Sequence, residues 1–178
     1  MKDLMLIIIF LFSLGVIGQD LNEVDSVGFK QGKWVYQDST GLVNTYCNYV
    51  DDLLDGDYIV MDEKECLLYS VVYKKGKKVG LEKTYYKNNR IKEISYYDEV
   101  GLISTLKFDY NGSLYEDIEF KNGVKHGVHR EYENGFLYIQ RSYINGKLDG
   151  YEIYYNKKGK IKMIIEYEDD ILKEIKKY

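Results

Sequence analysis

From residue 32 onward, apolar and polar positions alternate in short runs of the kind that make half-buried strands. Leu67, Tyr69, Val71 and Tyr73 fall on one side of such a run, as do Met163, Ile165 and Tyr167 with Ile161. The alternation itself recurs. Glycines that follow a short charged stretch stand at Gly32, Gly56, Gly80, Gly127 and Gly150, spaced by 24, 24, 47 and 23 residues. The long interval is two units, with Ser104 near the missing glycine. Six units therefore begin near residues 32, 56, 80, 104, 127 and 150.

Each unit repeats the same internal plan. Five residues after the glycine comes a large side chain: Met61, Tyr85, Tyr132 or Tyr155, with Tyr36 one place early. A turn residue follows (Gly41, Glu65, Asn89, Gly112, Gly135, Gly159), then a second aromatic (Tyr49, Tyr73, Tyr97, Phe120, Tyr143, Tyr167). A second glycine turn leads into the next unit, as in Asn122-Gly123-Val124-Lys125-His126-Gly127. The pattern predicts an all-β fold: an elongated, single-layer antiparallel meander of about six tandem β-hairpins occupying residues 32–178. Gly56, Gly80, Gly127 and Gly150 are expected as repeat-turn glycines. About twelve strands near 4.8 Å apart would give a sheet on the order of 55–60 Å long. Residues 19–31 are expected to cap the first edge and Ile171 to Tyr178 the last.

Composition agrees with this reading. The 178 residues include 20 tyrosines, 16 glycines and no proline, which suits a wetted sheet with frequent tight turns. With 30 % charged residues and a net charge of −4, the chain lacks the basic balance expected of a nucleic-acid partner. Residues 1–18 stand apart. Leu4 to Gly18 is an apolar run broken by Ser13, shorter than the roughly 20 residues of a bilayer span. With Val16 and Gly18 before Gln19 it reads as a signal peptide, the alternative being an uncleaved anchor through residues 4–18. Export to the periplasm, cell surface or medium follows as the expectation.

The tyrosine, glycine-lysine, glycine pattern at this spacing resembles the MORN repeat, and more closely its bacterial variant form. Gly123-Val124-Lys125-His126-Gly127 and Gly146-Lys147-Leu148-Asp149-Gly150 carry the likeness, with the strand starts Glu131-Tyr132-Glu133-Asn134-Gly135 and Tyr154-Tyr155-Asn156-Lys157-Lys158-Gly159-Lys160. It is best over residues 113–168. The resemblance implies elongated hairpin repeats used for protein–protein or membrane-surface contacts. Bacterial relatives also carry the label of antitoxin in toxin–antitoxin modules.

Other groupings coincide with the repeat. His126 and His129 suggest a metal or acid–base pair, but His126 fills a slot before a turn glycine and a third ligand is lacking. Asp51 to Asp57 lacks the alternating spacing of a calcium loop. Cys47 and Cys66 are separated by a whole strand and lie on opposite faces by parity, about 9–10 Å apart, beyond disulfide reach. No nucleophile elbow, phosphate loop or dinucleotide fingerprint is present. No catalytic residue, metal or cofactor is therefore expected. The face opposite the Leu67–Tyr73 side is expected to carry the binding aromatics Trp34, Tyr36, Tyr58, Tyr86 and Tyr154. Function is expected to be non-catalytic: a scaffold binding another protein. The alternatives are neutralisation of a toxin, or glycan and envelope binding through surface aromatics.

Overall fold

A computed structural model describes residues 20–178; the expected signal segment lies outside the described residues. Among these there is no helix and there are fifteen strands. They are β1 (Glu23–Val24), β2 (Lys30–Gln37), β3 (Val43–Val50), β4 (Leu53–Leu54), β5 (Gly56–Met61), β6 (Leu67–Lys74), β7 (Lys77–Tyr85) and β8 (Ile91–Tyr97). There follow β9 (Leu102–Phe108), β10 (Leu114–Lys121), β11 (Val124–Glu133), β12 (Phe136–Ile144), β13 (Lys147–Tyr155), β14 (Ile161–Glu168) and β15 (Ile171–Lys177). All but β4 stand side by side in chain order in one open sheet, and β4 pairs beside β3. The all-β hairpin meander read from the sequence is the observed fold.

Two kinds of turn close most of the hairpins, each predominating along one edge; the exceptions are the Asp98–Gly101 turn on the first edge and the Tyr86 loop and Asn134-Gly135 turn on the second. Along the first edge Asp51-Asp52, Lys75-Gly76, Asn122-Gly123, Asn145-Gly146 and Asp169-Asp170 all have positive φ, the type I′ geometry that matches strand twist. These tips are tied together across units. Gly76 N donates to Leu54 O, Gly146 N to Lys125 O and Asp170 N to Leu148 O, each at 2.8 Å. Along the other edge a side chain organises the loop. Asp38, Asp62, Asp109 and Asn156 each accept from the backbone N–H groups two and four residues on, at 2.8–3.2 Å, a recurring Asx turn.

The leading glycines do not sit at these turns, which corrects the assignment of Gly56, Gly80, Gly127 and Gly150. They lie four residues beyond each first-edge tip, inside β5, β7, β11 and β13. The register shows why they recur with the second aromatic. Gly32 faces Tyr49, Gly56 faces Tyr73, Gly80 faces Tyr97, Gly127 faces Tyr143 and Gly150 faces Tyr167 across neighbouring strands. Glycine plus tyrosine is thus one cross-strand unit, with the register shifting nearby in β7, β11 and β13.

One row of directly opposed residues runs down the sheet: Glu82, Ser95, Thr105, Ile118, His129, Arg141, Glu152, Ile165 and Ile175. The pairs Trp34–Cys47 and Tyr58–Val71 occupy the same face nearer the start. Every buried residue among those described is on this inner face: the apolar Cys47, Val71, Ile118, Ile139 and Ile165, and the polar Ser95, Thr105, His129 and Glu152. No described side chain is completely enclosed, since a single layer has no second sheet to cover it. Both ends are built into the sheet. Asn22 covers the outer side of β2, donating from its N to Lys33 O at 2.9 Å and accepting from Val35 N at 2.7 Å. The tail expected as a cap is the full strand β15.

Candidate binding face

The aromatics expected on the face opposite the Leu67–Tyr73 side are in large part on that same side. Tyr58 contacts Tyr69 and Tyr73 edge-to-face, with ring centroids 6.1 and 5.9 Å apart. Parity within each strand is legible in the sequence. Which parity of β5 shares a face with which parity of β6 depends on register, and there Tyr58 stands opposite Val71. Trp34, Tyr36 and Tyr154 belong to this inner face as well. Tyr86 does not join them. It sits at the second edge, donating to Phe108 O at 2.9 Å and packing on Tyr110 at 5.3 Å.

The first half of the inner face is aromatic. Trp34 lies 6.1 Å from Tyr36 and 5.9 Å from Tyr49. The Lys30 ammonium is held among all three rings, 4.7, 5.4 and 4.9 Å from their centroids, and donates to Tyr36 Oη at 2.9 Å. That hydrogen bond outweighs the opposing effect of burial and raises the Lys30 pKa. Further along, Glu82 accepts from Lys78 Nζ, Tyr69 Oη and Tyr97 Oη. Burial opposes its charge, yet these donors together hold its carboxyl below the usual value. Burial and the same carboxylate push Tyr97 up to about 12.

These lysines expose a signal that sequence reading missed. Two places before each glycine position the units read Lys30, Leu54, Lys78, Leu102, Lys125 and Leu148. Lysine and leucine alternate from unit to unit. Each lysine lies over the second aromatic of its own unit: Lys30 over Tyr49, Lys78 over Tyr97 at 5.4 Å and Lys125 over Tyr143 at 5.1 Å.

The second half of the face is ionic. Glu116 takes Lys107 at 2.6 Å and His129 Nε2 at 2.9 Å, and Lys125 Nζ lies 3.2 Å from His129 Nδ1. Arg141 pairs with Glu131 and, at 3.2 Å, with Glu152, which also accepts from Tyr154 Oη. Burial, and then the Lys125 charge, push His129 below its ordinary value against the pull of Glu116. The ring is therefore neutral at pH 7. His126 is elsewhere, accepting from Asn145 N at 3.3 Å on the first edge. The two histidines do not converge, and no cluster of three or more His, Cys, Asp or Glu with ligand geometry occurs among the described residues.

The remaining groupings are likewise placed by the repeat. Asp51, Asp52 and Asp55 accept from Gln31 Nε2, Lys30 N and Lys75 N at 2.6, 2.8 and 3.0 Å. Cys47 and Cys66 are free thiols. Burial raises the Cys47 pKa, which lowers its thiolate fraction.

No known family profile and no curated protein matches the chain. Among solved structures it is similar to a mutant of S. aureus TarM in complex with fondaparinux, alpha-GlcNAc-glycerol and UDP, with 15 % identity and a TM-score of 0.36. The match covers 70 % of this chain and 23 % of that one. The chain thus spans less than a quarter of that protein's length, and a likeness so slight says nothing of function. What the geometry defines is a class: a single-layer sheet of tandem hairpins with an aromatic half and an ionic half on one face.

Proposed function

We propose that the chain is an exported, non-catalytic scaffold of the MORN-like kind, and that it binds another protein through the aromatic half of its inner face. The observation that carries this reading is the half-buried cluster of Trp34, Tyr36 and Tyr49 around Lys30, continued by Tyr58, Tyr69 and Tyr73. Rings already held by neighbours lose little conformational freedom on docking, and they offer apolar area with polar tips. The ionic half has its charges paired internally, so it offers a partner less. Crosslinking the protein in its native envelope and recovering the complex tests the proposal. A specific protein partner, lost with Trp34→Ala and Tyr58→Ala while the strand signal in circular dichroism is kept, supports it. A partner retained by both variants places binding elsewhere. Recovery of the chain in the cytoplasm with Met1 intact contradicts the export reading. A toxin as the recovered partner would select neutralisation among the protein-binding roles.

A further inference from the structure

One hairpin on the second edge is closed by a shorter turn than the others. Where the neighbouring hairpins close with the Asx loops of Asp109 and Asn156, β11 and β12 close with the two-residue turn Asn134-Gly135. Beside this shorter turn lies a groove of about 250 Å³ between the β11–β12 and β13–β14 hairpins. Phe136, Tyr138 and Tyr155 give it aromatic walls, and Asn156, Lys157 and Lys162 are among its polar lining. Phe136 and Tyr138 are 51 % and 42 % exposed, and Tyr138 is braced edge-on by Tyr154 at 6.2 Å.

Charge singles out the same place. Lys157, Lys158, Lys160 and Lys162 fall close together in the chain, and none of them is in an ion pair among the described residues. Glu133 is the one carboxylate among the described residues that line the groove. The ionic half of the inner face pairs its cations; here, beside open aromatic rings, four lysines carry no ion pair among the described residues and Glu133 is the single carboxylate in the groove lining. Asn156 spends its Oδ1 on Lys158 N and Lys160 N, which leaves its Nδ2 as a donor for a ligand.

We propose that this groove binds an anionic saccharide, with one sugar ring against Tyr138 or Tyr155 and its carboxylate met by Lys157 and Lys162. The volume is below the roughly 300–1,000 Å³ of drug-sized pockets, which fits a single sugar residue of a longer chain. Aromatic walls suit the C–H face of a pyranose, and the lysines supply the charge that separates an acidic sugar from a neutral one. A concave wall of rings suits such a residue better than a flat lipid surface. The site lies at the opposite half of the sheet from Trp34, so it stands or falls independently of the protein-binding face.

Titration of the full chain with a trimer of galacturonic acid, a neutral maltotriose and anionic phospholipid vesicles, followed by calorimetry or NMR shifts, tests this. Saturable binding of the acidic trimer, at least about tenfold tighter than the neutral one, is expected. Tyr138→Ala and the double variant Lys157→Ala/Lys162→Ala should each weaken it about tenfold or more. Trp34→Ala should leave it unchanged. Circular dichroism confirms that each variant keeps its sheet. Absence of saturable binding, equal affinity for the neutral trimer, indifference to both groove variants, or vesicle binding in preference to the acidic trimer would each overturn the proposal.

Discussion

Gly127 illustrates how a single residue can be fixed by its neighbours. Its φ is +95°, and a Cβ there would overlap Glu119 Oε2 and lie 3.2 Å from Glu119 Cβ. That carboxylate accepts from Val128 N at 2.9 Å, so a methyl group must displace it and break the bond. Gly135, at φ +79°, has open space around the same position. Chemical denaturation should therefore show Gly127→Ala destabilised by about 2–4 kcal/mol and Gly135→Ala by about 1 kcal/mol; equal losses would contradict the steric explanation. His129 gives a pH prediction. Its folded pKa is depressed below the ordinary 6.5, so the folded state binds fewer protons than the unfolded one in that range. Its contribution is in full force above pH 6.5 and fades as pH falls below it. Thermal melts of the wild type should lose stability over that acid range, and His129→Gln should flatten the slope. An unchanged slope would mean that other groups control it. The sequence marks Gly127 by its spacing but suggests a turn, because only the register shows it opposite Tyr143.

The hairpin is the element on which the chain is built, and its two edges use different chemistry for the same task. Positive φ at both central residues makes the type I′ tips, while Asp carboxylate and Asn carboxamide oxygens make the Asx loops. Asn156→Ala removes the acceptor for two backbone N–H groups and should cost about 1–2 kcal/mol. Asn156→Asp keeps the acceptor and should hold the wild-type stability within about 0.5 kcal/mol. A loss as large for the aspartate as for the alanine would show that the amide NH₂, not the oxygen, is the structural group. Turns, strands and unit length were legible because each is set by residues close to one another in the chain. The pairing of faces was not, and Tyr58 shows the reason. Its neighbours Tyr69 and Tyr73 are fixed by a two-strand register with a shift between Val60 and Met61, which local alternation does not encode. The groove beside Phe136 was illegible for the same reason, since it arises from a difference between adjacent hairpins.

Over the whole molecule the sheet is asymmetric along its length. Aromatic rings dominate from β2 to β8, ion pairs from β9 to β13, and lysines without a described carboxylate partner collect at the edge of β13 and β14. Because the array is one layer thick, its strands span roughly 60 Å at about 4.8 Å per step. A chain without residues 1–18 should then scatter X-rays with a radius of gyration of about 20 Å, against about 15 Å for a compact domain of this size; the smaller value would mean that the sheet closes on itself. A long single layer offers a partner one broad face at a time, and here the inner aromatic half is the proposed docking face. The direct measurement is capture of the envelope partner by matched variants of the two faces: Trp34→Ala and Tyr58→Ala on the inner face, and on the outer Leu81→Ala and Tyr96→Ala, an exposed cross-strand pair adjacent in register to the inner pair Glu82–Ser95. The inner pair should abolish capture while the outer pair leaves it intact. Loss of capture with the outer pair alone would contradict the inner face as the docking surface.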